Sequence, residues 1–144
     1  MSLSMELTIM ITNMIYLIIP VLIQIETGGE RFPNEAIGRN GEVGMLQVSK
    51  HVVQDVNKFY RPDRKYQLRD ARIPWYATEM CYLYLLYWAS PERLGREPTF
   101  EDLARIWNGG PKGYKNPKTL GYWRRVNSVL HARYCKSEVY YARR

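Results

Sequence analysis

From Leu7 to Ile25 the chain is almost continuously apolar, and the run ends on Glu26-Thr27-Gly28-Gly29. A stretch of this length is a membrane span, an export signal or a buried helix. Thr12, Asn13, Pro20 and Gln24 interrupt it, and a carboxylate closes it, which argues against a span. No Lys or Arg precedes it and no small-residue cleavage site follows, so no clear signal peptide is read. The reading is a buried helix or pair of helices without stable membrane insertion. Pro20 suits the first turn of the second helix, and Gly28-Gly29 is its stop signal.

At 144 residues the chain fits one domain, 1–144, with residues 1 to about 17 as an N-terminal apolar extension or helix. Residues 30 to 47 are rich in Gly, Asn and charge and read as an ordered loop or short strands. Ser49 caps the next helix, whose apolar face is Val52, Val53, Val56, Phe59 and Tyr60. After a charged connection over 61 to 73, Pro74 opens a helix to about Ala89 that is apolar all round, the mark of a central core helix. Thr99 and Asp102 form a capping box for a short helix ending near Asn108-Gly109-Gly110-Pro111. Thr119 starts the last helix, with Leu120, Trp123, Val126, Leu130 and Tyr134 on one side. The expected fold is mainly α, with five to seven helices around the central apolar one.

A formal net charge of +7, from 21 Lys+Arg against 14 Asp+Glu, favours an anionic partner such as nucleic acid, anionic lipid or bacterial wall. Nucleic acid has only Arg124, Arg125, Arg133, Arg143 and Arg144 behind it, with no recognition motif, and is set aside. Cys81 and Cys135 read as reduced thiols, although one bridge stays open. His51 and His131 lack partners at ligand spacing, so no metal or other cofactor is expected.

Glu26 carries the candidate chemistry. A carboxyl held against Val21, Leu22 and Ile25 has its charged form disfavoured, as a general acid requires. Most glutamates in a last helical turn are simply solvated, so Glu26 alone proves little. Three further segments add weight: Gly41-Glu42-Val43-Gly44-Met45-Leu46-Gln47, then Trp107-Asn108-Gly109-Gly110-Pro111, then Tyr122-Trp123. Glycines allow close backbone approach, amides suit N-acetyl groups, and aromatic faces suit sugar rings.

In this order the segments resemble the soluble lytic transglycosylases and goose-type lysozymes. Glu26-Thr27 is similar to their Glu-Ser motif, and Gly44-Met45-Leu46-Gln47 to Gly-Leu-Met-Gln with the middle residues exchanged. Ile106-Trp107-Asn108-Gly109-Gly110-Pro111 resembles Ala-Tyr-Asn-x-Gly-Pro, and Tyr122 matches the tyrosine that follows. The resemblance covers roughly residues 18 to 127. It implies a lysozyme-like domain with a saccharide cleft that binds peptidoglycan glycan strands as a monomer. Glu26 would act as acid and base on the β-1,4 bond between N-acetylmuramic acid and N-acetylglucosamine, closing a 1,6-anhydro ring. Met45, Gln47, Trp107 and Asn108 would hold substrate, and Tyr122 would orient Glu26 or the sugar. Work on this substrate implies a place in the periplasm or the extracellular wall, as for a phage lysin or a chain trimmed of its signal.

The chain departs from the pattern in places. The loop from Glu26 to Gly44 is a few residues longer, and Gly38 stands where a serine is common. That loop carries Glu30, Glu35 and Glu42. A second carboxylate there, Glu35 or Glu42, holding a water as general base would make the enzyme an inverting hydrolase. A non-catalytic glycan-binding module is the remaining alternative, and it would not need Glu26.

Overall fold

The computed structural model describes residues 2–135, so Arg143 and Arg144 lie outside the described residues. The domain is mainly α, as expected. Its helices are α1 (Leu3–Thr27), α2 (Lys50–Tyr60), α3 (Pro74–Trp88), α4 (Pro91–Leu94), α5 (Phe100–Gly109) and α6 (Leu120–Leu130). Short 3-10 turns occur at Pro33–Glu35, Leu68–Arg72, Gly113–Lys115 and Pro117–Thr119, and one π-helical turn at His131–Cys135.

The N-terminal reading needs one correction. The apolar run is a single helix capped by Ser2, with Pro20 inside it rather than at a start. A proline there removes the bond its own N–H would make and crowds the carbonyl four residues earlier. Nearby, the Tyr134 hydroxyl donates to Leu17 O at 2.7 Å, which ties the far end of the described chain to α1. Ile15, Ile18, Ile19, Val21 and Leu22 are buried, but Leu3, Met5, Ile9, Tyr16 and Leu17 stay exposed. Burial therefore belongs to one face and to the C-terminal half. By length and composition α1 could cross a membrane, with mean hydropathy 2.0, and 33% of its most apolar window is buried.

α3 is the central helix anticipated above: it packs on α1, α2 and α5, and buries Ala77, Met80, Cys81, Tyr84 and Leu85. Both cysteines are free, Cys81 buried and Cys135 half-buried. On α2 the Ser49 hydroxyl accepts from Val52 N at 3.3 Å, and Val52, Val53 and Val56 enter the core. Phe59 stacks on Tyr87 with centroids 3.8 Å apart. The loop before α2 holds only isolated antiparallel bridges, Ile37 to Val43 and Val43 to Val48. At Gly44, φ is +81°, and a Cβ would collide with the Ala71 carbonyl, so only glycine fits there.

Two polar ties fix the elements that bring later residues to the end of α1. The capping box of α5 forms as read: Asp102 N donates to Thr99 Oγ1 at 3.2 Å, and Thr99 N to Asp102 Oδ2 at 2.8 Å. Arg96 adds a fork to the same carboxylate at 2.6 and 2.8 Å. Further on, buried Arg105 donates from Nε to Thr119 Oγ1 at 2.9 Å and from Nη2 to Asn116 O at 3.1 Å. Thr119 is the cap position of α6 but makes no side-chain cap bond. Its hydroxyl instead lies 2.7 Å from Gly113 O, so its use is tertiary.

Burial alone would raise the Asp102 carboxyl, but the Arg96 and Thr99 bonds outweigh it and hold the group below its ordinary value. Its contribution to stability is thus present above the ordinary carboxylate range and is lost as pH falls through the depressed folded value. Asp102→Ala is expected to cost about 3 kcal/mol at neutral pH, with the difference from wild type shrinking in acid. Urea denaturation at pH 7 and pH 3 checks both statements.

Candidate active site

The last turn of α1 sets Glu26 at the edge of the core. It is half-buried, and the buried Tyr122 hydroxyl on α6 donates to its Oε1 at 2.8 Å. The neighbouring residue explains how the helix end is held. Thr27 is buried, and its Oγ1 donates to Met45 O at 2.8 Å. A small hydroxyl residue after the glutamate thus fastens α1 to the glycine loop.

A cleft of 270 Å³ opens in front of Glu26, lined also by Gly38, Arg39, Glu42, Gln47, Trp107 and Asn108. The residues singled out from the sequence divide accordingly. Gln47, Trp107, Asn108 and Glu42 share the cleft with Glu26, and Tyr122 reaches it through its bond to the carboxyl. Met45 does not line it; this side chain packs against the core, and only its carbonyl takes part, under Thr27. Glu35 is also outside: it is exposed and faces Arg72 at 3.8 Å. Arg39 is a cleft residue that the sequence reading missed, since an arginine in a charged loop carries no distinguishing pattern.

Gln47 is left-handed, with φ of 52°. Its Nε2 donates to Gly44 O at 2.9 Å and to Ala36 O at 3.4 Å. The amide nitrogen is therefore engaged with the loop, and the oxygen is the atom offered to a ligand. Gly38 makes room for this arrangement. A Cβ there would overlap both Glu42 Oε2 and Gln47 Oε1, so a serine at this position would displace both side chains.

The two cleft carboxyls are pushed in opposite directions. Burial raises Glu26 above its ordinary value; the Tyr122 bond and the Arg125 charge oppose this, and the Glu42 charge adds to it. Glu42 ends below its ordinary value: burial opposes its charge, but backbone N–H groups of Glu42 and Asn40 stabilise it, with Asn40 N 3.0 Å from Oε2. Burial and the nearby Glu26 charge push the Tyr122 phenol far up, so it remains a donor. The Cys81 thiol is raised by the same two causes and stays protonated. A carboxyl raised above its ordinary value thus shares one cleft with a carboxyl held below it.

No family model matches the chain. A 36-residue stretch, 25% of this chain, is 53% identical to Lysozyme 1 of Crassostrea virginica. It spans 20% of that protein's length, so the likeness is to a part of it.

Because the Tyr122 bond stabilises the ionised carboxylate, Tyr122→Phe is expected to move the Glu26 titration further up. The stability difference between the two proteins should be smaller in acid, where Glu26 is protonated, and grow as pH rises through its folded value. Carboxyl-carbon NMR titration reads the first effect and thermal melts at several pH values the second. A Glu26 midpoint unchanged in the phenylalanine variant would mean that Tyr122 does not tune it.

Proposed function

We propose that the protein is a lysozyme-like glycosidase that cleaves the β-1,4 bond between N-acetylmuramic acid and N-acetylglucosamine in peptidoglycan. The observation that carries this reading is Glu26, half-buried in a polar cleft, raised toward its neutral form and held by Tyr122. The oyster lysozyme stretch and the order of the motifs support it. Glu26 donates its proton to the glycosidic oxygen as the C1–O bond breaks, and positive charge develops at the anomeric carbon. Gln47 Oε1, the Asn108 amide and the Trp107 ring, which line the same cleft, would hold the sugars. The wall lies outside the cytoplasmic membrane, so the site of action is the periplasm or the extracellular wall.

The second half of the reaction has two forms. In transglycosylation the C6 hydroxyl of the muramyl residue attacks C1, and its proton returns to Glu26. This is the form that the motif resemblance favours. In hydrolysis a water attacks instead, with Glu42 accepting its proton; the position of Glu42 in the same cleft favours that one. Mass spectrometry of digested peptidoglycan separates them, since 1,6-anhydromuramic ends arise only from the first and reducing ends only from the second.

Glu26→Gln is expected to lower wall clearing about a thousandfold, and equal clearing by both proteins would remove Glu26 from the mechanism. The same substitution should raise the melting temperature at neutral pH and above. A carboxyl raised in the folded state loses stability as pH rises through its folded value, and glutamine has no such loss.

A further inference from the structure

A second cavity of 400 Å³ lies on the other side of Trp107 and Asn108, which are walls of both spaces. Its opposite wall is the start of α2, where His51 and Asp55 stand one turn apart, and Tyr84 closes another side. In a chain with 21 Lys+Arg, none lines this cavity. Asp55 is half-buried. One of its oxygens, Oδ2, accepts from Trp88 Nε1 at 3.0 Å, leaving Oδ1 available. Tyr84 is a buried residue that lines the cavity. Burial and the Asp55 charge both keep that phenol protonated. Its ring meets the Trp107 ring edge-on, with centroids 5.9 Å apart.

The lining thus includes a carboxylate, Asp55, a phenol, Tyr84, and an amide, Asn108, beside the Trp107 ring. Such a set suits a compact cation with several N–H donors. We propose that this cavity binds a primary ammonium group carried by the substrate in the adjoining cleft. The proposal rests on the glycosidase reading for the identity of that substrate. Two parts of a bacterial wall supply the group: a diamino acid of the peptide, and a glucosamine that has lost its acetyl group. Asp55 would then be a specificity residue, favouring wall segments that keep a free amine near the bond to be cut.

The test uses the full chain and two matched probe pairs, followed by NMR with the Trp88 indole N–H as reporter of Asp55. One pair is chitotetraose with free amines and its fully N-acetylated form. The other is a muramyl peptide ending in a diamino acid, with its side-chain amine free or acetylated. The free-amine member of at least one pair is expected to shift the Trp88 signal and to bind about tenfold more tightly than its acetylated partner. The pair that shows the preference identifies the source. Asp55→Asn, which keeps an acceptor for Trp88 but no charge, should bring that ratio to near one. Equal binding of free and acetylated probes in both pairs, or a preference that survives in Asp55→Asn, would overturn the proposal. Wall clearing by the wild type is measured alongside. Its absence would count against the glycosidase reading, while the binding ratios would still decide the ammonium site.

Discussion

At the end of α1 a carboxyl is carried out of water and met by a single phenolic O–H. The arrangement is costly by design of the fold: burial disfavours the charged form, and a hydrogen bond to an ionised group returns only about 1.5–3 kcal/mol. The net direction at Glu26 is upward, so desolvation, aided by the Glu42 charge, wins over Tyr122 and Arg125 together. A second donor in the place of a core side chain would reverse that balance and leave an ordinary ionised glutamate. Leu22, Cys81 and Ile106 are fully buried members of the apolar core against which α1 packs. The chemistry available to the cleft thus depends on how the apolar interior is assembled around the last turn of α1.

That assembly is held by polar ties distant in sequence. Thr27 fastens the helix end to the Met45 carbonyl, which sets the glycine loop against it. Arg105 and Thr119 lock the turns between α5 and α6, and so place Tyr122, which is 96 positions from Glu26. Each of these groups is buried and paired, as buried polar groups must be. No buried side-chain polar atom among the described residues lacks a partner. Helix packing alone would leave α6 free to slide or rotate by part of a turn, which is enough to break a bond of 2.8 Å.

Much of this was legible in the sequence where local chemistry decides it. The Ser49 cap, the Thr99–Asp102 box, the all-apolar α3 and the stop at Gly28 follow from side chains acting on their own backbone. Pro20 misled because its local preference is overruled by packing. Its cost of about 3 kcal/mol in a helix interior is outweighed by Ile15, Ile18, Ile19, Val21 and Leu22, each worth roughly 1.5–3 kcal/mol when buried. Thr119 stands at the start of the last helix as read, but its hydroxyl serves Arg105 rather than the helix it precedes. Glu26, Gln47, Trp107, Asn108 and Tyr122, singled out by the order of the motifs, lie together in space. Glu35 and Glu42 were indistinguishable as sequence. Only the fold of the loop turns one toward Arg72 and the other into the cleft.

The loop also accounts for the asymmetry between the two cleft carboxyls. Glu26 and Glu42 feel each other, and like charges close together resist joint ionisation. Which of them yields is decided by the donors each can reach. Glu42 lies in a turn whose backbone N–H groups point at it, whereas Glu26 closes a helix whose own N–H groups are spent on the helix. Helix C-termini carry partial negative charge, which further disfavours a carboxylate there. Gly38 completes the arrangement by leaving room for Glu42 and Gln47 to approach one another. Proton affinity is therefore raised on the residue at the helix end and lowered on the residue in the loop. A residue larger than glycine at position 38 would disturb that division by moving Glu42, without touching Glu26 itself.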